Sequence, residues 1–197
     1  MVVVRLEEKA DEERLAAWLN AEDEEMQLAV DGGNFGRPLM PAGIRKWWDS
    51  KEAFFREQRG WETLSYRIFD VVSEGAGVCG HIEVAVIQGT DPEMNVATRH
   101  CGSGVPFGWL LYVYILPAFR GGGVGSEAVA EACRESFRLG ALSSLLIVKE
   151  TNVSAKRFYG RLGFVDTGRV MVREGCTFQL FECKAPGGQS EAPKAEG

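Results

Sequence analysis

The sequence predicts a mixed α/β domain, and three stretches carry that reading. Two β-rich runs, Thr63 to Ser73 and Val78 to Gln88, are joined by Glu74-Gly75-Ala76-Gly77, glycine-rich as a hairpin turn should be. An apolar run, Trp109 to Leu116, leads through a glycine-rich turn into a helical pattern, Ser126 to Leu139. A further strand pattern, Ser143 to Lys149, follows it. Near the end, Phe164 to Arg173 and Thr177 to Cys183 read as a closing hairpin around Glu174-Gly175. Strands, one strand–helix–strand crossover and a hairpin together give a mixed α/β sheet.

Taken in order, Val2 to Leu6 reads as a first strand. Asp11 is placed to cap a helix in which Leu15, Trp18 and Leu19 make an apolar stripe. Glu22 to Val30 continues as a second helical stretch, broken by Asp31-Gly32-Gly33-Asn34; Pro38 and Pro41 keep the next stretch irregular. Ile44 to Gln58 is expected as a helix carrying Trp47, Trp48, Phe54 and Phe55. In the strand Val78 to Gln88, His81, Glu83 and Ala85 share one face and Ile82, Val84 and Val86 the other. Gly89 to Pro106 is long, polar and broken by Pro92, Gly102 and Gly104; a loop this long inside a compact domain is either functional or disordered. Asn152 is an N-cap for a helix with Ala155, Phe158, Tyr159 and Leu162 on one face, stopped by Gly163. Residues 1–184 are expected to form one domain. Ala185 to Gly197, without a large apolar residue, is expected as a disordered tail.

Composition narrows the function. The 197-residue chain is 45% hydrophobic and 25% charged, as in a soluble globular protein. A net charge of −6 disfavours general binding to nucleic acid or an anionic membrane, so neither is expected as a partner. Cys79, Cys101, Cys133, Cys176 and Cys183 form no C-x-x-C pair, and His81 and His100 complete no metal-ligand spacing; no metal is expected. The apolar run at Met1 to Val4 is too short for a signal peptide and no segment is long enough to span a bilayer, so a cytoplasmic protein is expected.

The chemistry concentrates after Trp109. Pro117 ends the strand because it has no N–H for a ladder. Arg120 follows, then Gly121, Gly122, Gly123 and Gly125, with a helix from Ser126. The first N–H groups of a helix lack intrahelical partners, and the helix dipole adds positive charge there. Glycine lets a phosphate approach the backbone, and arginine adds a charge suited to its oxygens. No Gly-Lys-Ser/Thr follows, so this is not a P-loop. Gly123, Gly125 and Ala128 match the dinucleotide pattern G-x-G-x-x-A, but Pro-Ala-Phe-Arg separates them from the strand and only one strand–helix–strand unit is evident.

Ile115-Leu116-Pro117-Ala118-Phe119-Arg120-Gly121-Gly122-Gly123-Val124-Gly125 resembles the acyl-CoA signature of the GNAT superfamily of N-acetyltransferases, R/Q-x-x-G-x-G/A at a helix start. Asn152 to Phe164 resembles that family's second motif, N-x-x-A-x-x-F-Y-x-x-x-G-F, in the right order and at the right distance. The close resemblance covers Trp109 to Phe164. It implies a twisted, mostly antiparallel sheet of about seven strands, helices on both faces, and a splayed central strand pair that admits acetyl-CoA as co-substrate. It implies transfer of acetyl to a primary amine by a monomer or homodimer.

On this resemblance the backbone of Gly121, Gly122, Gly123, Val124, Gly125 and Ser126 would hold the pyrophosphate, with Arg120 beside it. Val113, Tyr114 and Ile115 would pair with the pantetheine arm like an added strand, an N–H near Ile115 polarising the thioester. Asn152 and Ser154 would complete the cofactor site. Tyr159 matches the tyrosine that protonates the departing thiolate, against a purely packing role. Some members carry a glutamate five residues before the motif asparagine; here that position is Ile147. Glu83, with Glu150 behind it, is the candidate base, against the alternative of an ordinary salt-bridged carboxylate. Trp47 and Trp48 either line the acceptor site or pack the core. A non-catalytic acyl-CoA-binding module and a nucleotide-dependent oxidoreductase are the other readings.

Overall fold

The β-rich runs and helical stripes form the elements expected of them. In the computed structural model, which describes residues 4–7, 11–21, 38–57, 60–92, 95–173 and 175–186, the chain order is β1 (Val4–Glu7), α1 (Glu12–Ala21), α2 (Pro41–Glu57), β2 (Trp61–Ser73), β3 (Gly77–Gly89), α3 (Val96–Cys101), β4 (Pro106–Ile115), α4 (Val124–Arg138), β5 (Ser143–Lys149), α5 (Val153–Arg161), β6 (Val165–Arg173) and β7 (Cys176–Lys184). A 3₁₀ turn, Pro117–Phe119, leaves β4. The expected helix Glu22 to Val30, the side chains of Phe54 and Phe55, and the expected tail from residue 187 onward lie outside the described residues.

All seven strands join one sheet in the order β1-β2-β3-β4-β5-β7-β6. Every neighbouring pair is antiparallel except β4 with β5. That parallel pair is brief, running only from Phe107↔Ser143 to Trp109↔Leu145. Past it β4 stays on β3 as far as Gly80↔Ile115, and β5 stays on β7 as far as Lys149↔Phe178, so the sheet divides between them. A register shift falls between Glu83↔Tyr112 and Val84↔Leu110, leaving Leu111 as an extra residue in β4 just where the strands part. With a single parallel pair, this is not the run of parallel strands a dinucleotide fold requires, and the G-x-G-x-x-A match loses its context.

Helices cover both faces. On one, Val124, Ala128, Val129, Ala132 and Cys133 of α4 pack on Val71, Ile82, Val84, Leu110 and Leu146, with Phe158 and Tyr159 of α5, and Leu162 just after it, alongside. On the other, Leu15 and Leu19 of α1 and Ile44 and Trp48 of α2 pack on Tyr112 and Tyr114. A third cluster, around Phe107, Trp109, Leu145 and Leu180, fills the sheet where β4 and β5 still pair. Each such buried aliphatic or aromatic side chain contributes roughly 1.5–3 kcal/mol.

The segment Gly89 to Pro106 corrects the expectation of an unstructured loop. It contains α3, whose N-cap Asn95 accepts hydrogen bonds from the N–H groups of Ala97 (2.7 Å) and Thr98 (3.2 Å). At the far edge, β6 is interrupted: the register passes from Asp166↔Phe181 to Val170↔Gln179. Asp166 there accepts from the Gly168 N–H, and Thr167 Oγ1 both accepts from the Arg169 N–H and donates to the Leu180 carbonyl.

α4 is seated on the strands at Gly108. A Cβ at that position would lie 2.6 Å from both Cβ and Oγ of Ser136, whose hydroxyl is itself 2.6 Å from that of Ser144. Gly108→Ala is therefore expected to lower stability by about 1–3 kcal/mol. Thermal denaturation checks this, and an unchanged melting temperature would show that the helix does not press on the strand there.

Candidate functional site

The glycine turn is shaped by its ends. The Phe119 N–H donates to the Leu116 carbonyl (2.9 Å) and the Arg120 N–H to that of Pro117 (3.1 Å), turning the chain out of β4. Gly121 (φ 79°) and Gly123 (φ 90°) then take left-handed conformations that other residues adopt rarely. Gly123 occupies the N-cap position of α4 and brings no side chain to cap it, so the first-turn N–H groups of Val124, Gly125 and Ser126 form a bare helix N-terminus. Gly125 sits where a Cβ would touch Ile115 (3.5 Å) and the Phe158 ring (3.6 Å). Helix start, strand end and α5 thus converge on one point.

Arg120 does more than present a charge. Its Nε donates to the Ile115 carbonyl (2.8 Å), and its guanidinium carbon lies 5.7 Å from the Tyr114 ring centroid, so the side chain folds back over the end of β4. Val113, Tyr114 and Ile115 all lie past the last β4–β5 pair, on the stretch of β4 that has left β5. Tyr114 is buried and stacks on Trp18 (6.1 Å).

α5 begins at Asn152, whose Oδ1 accepts from the Ala155 N–H (2.9 Å); Ser154, in the first turn, is exposed. Tyr159 lies on the inner side of this helix, edge-on to Phe158 (5.0 Å) and Phe164 (5.7 Å). Burial, with the Cys133 thiol nearby, pushes its phenol up to about 12, so it keeps its proton through the neutral range. Tyr159 and the glycine turn are thereby held on one side of the sheet.

Glu83 lies on the opposite face and is fully buried. Its Oε2 accepts from Lys51 Nζ (2.7 Å) and the Tyr66 hydroxyl (2.9 Å), and its Oε1 lies 3.3 Å from His81 Nε2. Burial alone would push the carboxyl up; the Lys51 ammonium and His81 outweigh it and bring it down to about 2. Burial also draws Lys51 below the usual lysine range, with Glu83 opposing that shift. Trp48 stacks on His81 (5.6 Å) and is core; Trp47 is half-buried, edge-on to Tyr112 (5.2 Å). Glu150 is exposed beyond β5, apart from this group.

Sequence reasoning singled out Glu83 but missed the group around it. The His81–Glu83 spacing on one strand face was a usable signal, as was the Trp47–Lys51 spacing of one helical turn. Tyr66 and Tyr112 join only through the strand register, Ile68↔Glu83 and Glu83↔Tyr112. A separate cavity of about 470 Å³, lined by Glu7, Asp11, Glu12, Glu13, Arg14, Asp70 and Val78, shares no residue with the turn or this group. Among the described residues no His, Cys, Asp and Glu side chains are grouped to hold a metal ion, and no helix is long and apolar enough to cross a membrane.

Residues 38–164 match the model of the acetyltransferase (GNAT) family. Solved structures share the fold. They include yncA from Salmonella typhimurium with its cofactor acetyl-CoA (20% identity, covering 99% of each chain, TM-score 0.57). A Bacillus subtilis acetyltransferase in complex with CoA matches at 12% identity over 94% of this chain and 100% of its own (TM-score 0.54). A spermidine N-acetyltransferase chimera of Vibrio cholerae SpeG and hSSAT matches at 17% over 93% and 95% (TM-score 0.58). A search of curated protein sequences returns no match.

The buried carboxylate makes an acid-limb prediction. A carboxyl depressed from 4.5 to about 2 stabilises the fold above pH 4.5, and that contribution is lost as pH falls towards 2. The stability difference between wild type and Glu83→Gln, from urea denaturation, should therefore be constant above about pH 5 and shrink below 4.5. A pH-independent difference would mean that Glu83 is not held ionised.

Proposed function

The chain belongs to the GNAT acetyltransferase family, and from that premise we propose that it transfers the acetyl group of acetyl-CoA to a primary amine. The observation that carries this reading is the meeting of a bare, glycine-framed helix N-terminus with a strand end released from its parallel neighbour. The first suits a pyrophosphate; the second suits an extended, amide-bearing arm.

In this reading the N–H groups of Gly121, Gly122, Gly123, Val124, Gly125 and Ser126 hold the pyrophosphate. Arg120 has a positioning role, fixing the end of β4 through the Ile115 carbonyl. Val113, Tyr114 and Ile115 take the pantetheine arm, and an N–H near Ile115 polarises the thioester, a contribution of roughly 3–4 kcal/mol in other enzymes. Asn152 holds the start of α5, where Ser154 meets the cofactor. The neutral amine attacks the carbonyl carbon, the new C–N bond forms, the C–S bond breaks, and Tyr159 gives its proton to the thiolate; the nitrogen sheds one proton to water, and water returns one to the Tyr159 phenolate.

The amine must arrive without its extra proton, since a lysine-like group has a pKa of about 10.4. Glu83, the candidate base by sequence, is a poor proton acceptor with its carboxyl near 2 and three donors around it. We assign it instead to holding the Lys51 ammonium, and leave Glu150 as the candidate proton acceptor.

Two variants test the assignments. Gly123→Asp puts a Cβ and a negative charge where the phosphate would bind, at a left-handed position, and should abolish acetyl-CoA binding; unchanged affinity by calorimetry in a folded variant would remove the site. Tyr159→Phe keeps the packed ring and deletes the hydroxyl. It should leave folding and acetyl-CoA affinity near wild type and reduce turnover about 10²-fold. A rate within about twofold of wild type would mean that Tyr159 only packs.

A further inference from the structure

The group around Glu83 has the form of a receptor for an organic cation, filled by a side chain of the protein itself. Lys51 Nζ lies 3.5 Å from the Trp47 ring centroid and 5.3 Å from that of Tyr112, with Glu83 Oε2 at 2.7 Å. Aromatic rings and a carboxylate around one ammonium are the chemistry that recognises alkylammonium ligands. As a stabilising device it is a poor choice, because well-packed hydrophobic residues generally serve as well as a buried ion pair.

Its position and composition point to a role. Glu83 is the register partner of Tyr112, next to the extra residue Leu111, where β4 parts from β5. The Lys51 side chain is 21% exposed while that of Glu83 is 0%, so the cation is the member of the pair that reaches solvent. A lysine on its flexible four-carbon stem can withdraw, and another ammonium can replace it without leaving Glu83 unpaired.

We propose that the Trp47–Tyr112–Glu83 cage is a specificity subsite for a second, non-reacting cationic group of the acceptor, which displaces the Lys51 ammonium on binding. Inside the cage Glu83 and the two rings pair with a cation and offer a neutral amine no proton acceptor, whereas the attacking amine must be neutral and face the thioester, so the reacting group belongs elsewhere. The acceptor class this selects is diamines and other compounds with two basic centres. The inference rests on the acetyl-transfer reading above.

Two measurements decide it. With wild type, KM should be at least about tenfold lower for putrescine than for n-butylamine, which has the same chain and one ammonium; Trp47→Leu and Glu83→Gln should bring the two within about twofold. Equal KM values in wild type, or a preference that survives Trp47→Leu, overturn the proposal. The second measurement needs no turnover. Lys51→Ala empties the cage, and methylammonium chloride should raise its melting temperature by several degrees over equimolar sodium chloride, but not that of wild type or of Lys51→Ala/Glu83→Gln. Should Lys51→Ala not fold in sodium chloride, its refolding yield in methylammonium chloride is the readout. No methylammonium effect by either readout identifies a structural ion pair only and overturns the proposal. Failure of all amines as acceptors would sink the acetyl-transfer reading, and the methylammonium result would still decide the cage.

Discussion

Backbone N–H and C=O groups in the middle of a sheet need partners on both sides. On its β5 side, β4 has them only from Phe107 to Trp109. That short ladder is the constraint on which the remainder of the architecture depends. Shortening it leaves an extended edge, Leu110 to Ile115, inside the sheet instead of at its margin. The glycine turn and the start of α4 complete that opening, since both follow directly from Ile115. Nor is the division a loss of pairing: β3 holds β4 and β7 holds β5 along their lengths, so each half keeps a full ladder on the side away from the gap.

The two faces beside that opening differ in kind. Towards α4 and α5 the lining is apolar, with Tyr159 and Cys133 among aliphatic and aromatic neighbours. Towards α1 and α2 it is aromatic and charged, with Trp47, Trp48, Tyr112, Lys51, His81 and Glu83 in mutual contact. A low-dielectric surround strengthens every interaction in that second group and penalises any unpaired member. The chain thus separates a neutral proton donor on one side from a buried ion pair on the other, with β4 between them.

Much of this was legible in the sequence, because local signals are strong where the chain is tightly constrained. The hairpin around Gly75, the strand–glycines–helix order and the Asn152 cap each rest on residues with few conformational alternatives. The splayed pair and the number of strands followed from the family resemblance, not from periodicity. α3 was missed because Val96 and Thr98 are β-branched and the segment is polar; its capping residue, Asn95, was the signal available. α4 begins at Val124, ahead of the expected Ser126, since the backbone turns helical as soon as Gly123 has reversed it. The bend of Arg120 onto the Ile115 carbonyl and the meeting of Lys51 with Glu83 depend on tertiary contacts 5 and 32 residues apart, which no local pattern encodes.

The interruption in β6 bears on how the molecule behaves in concentrated solution. An edge strand is a ready template for another chain, and β6 carries three exposed valines, Val165, Val170 and Val172. Between Asp166 and Val170, however, its ladder is broken, and the Gly168 and Arg169 N–H groups are already taken by the side chains of Asp166 and Thr167. Among the described residues the opposite edge, β1, spans four. Among the described residues neither margin offers a long, evenly spaced row of donors and acceptors, and the broken ladder protects the apolar β6 edge against the strand-on-strand stacking that leads to fibres.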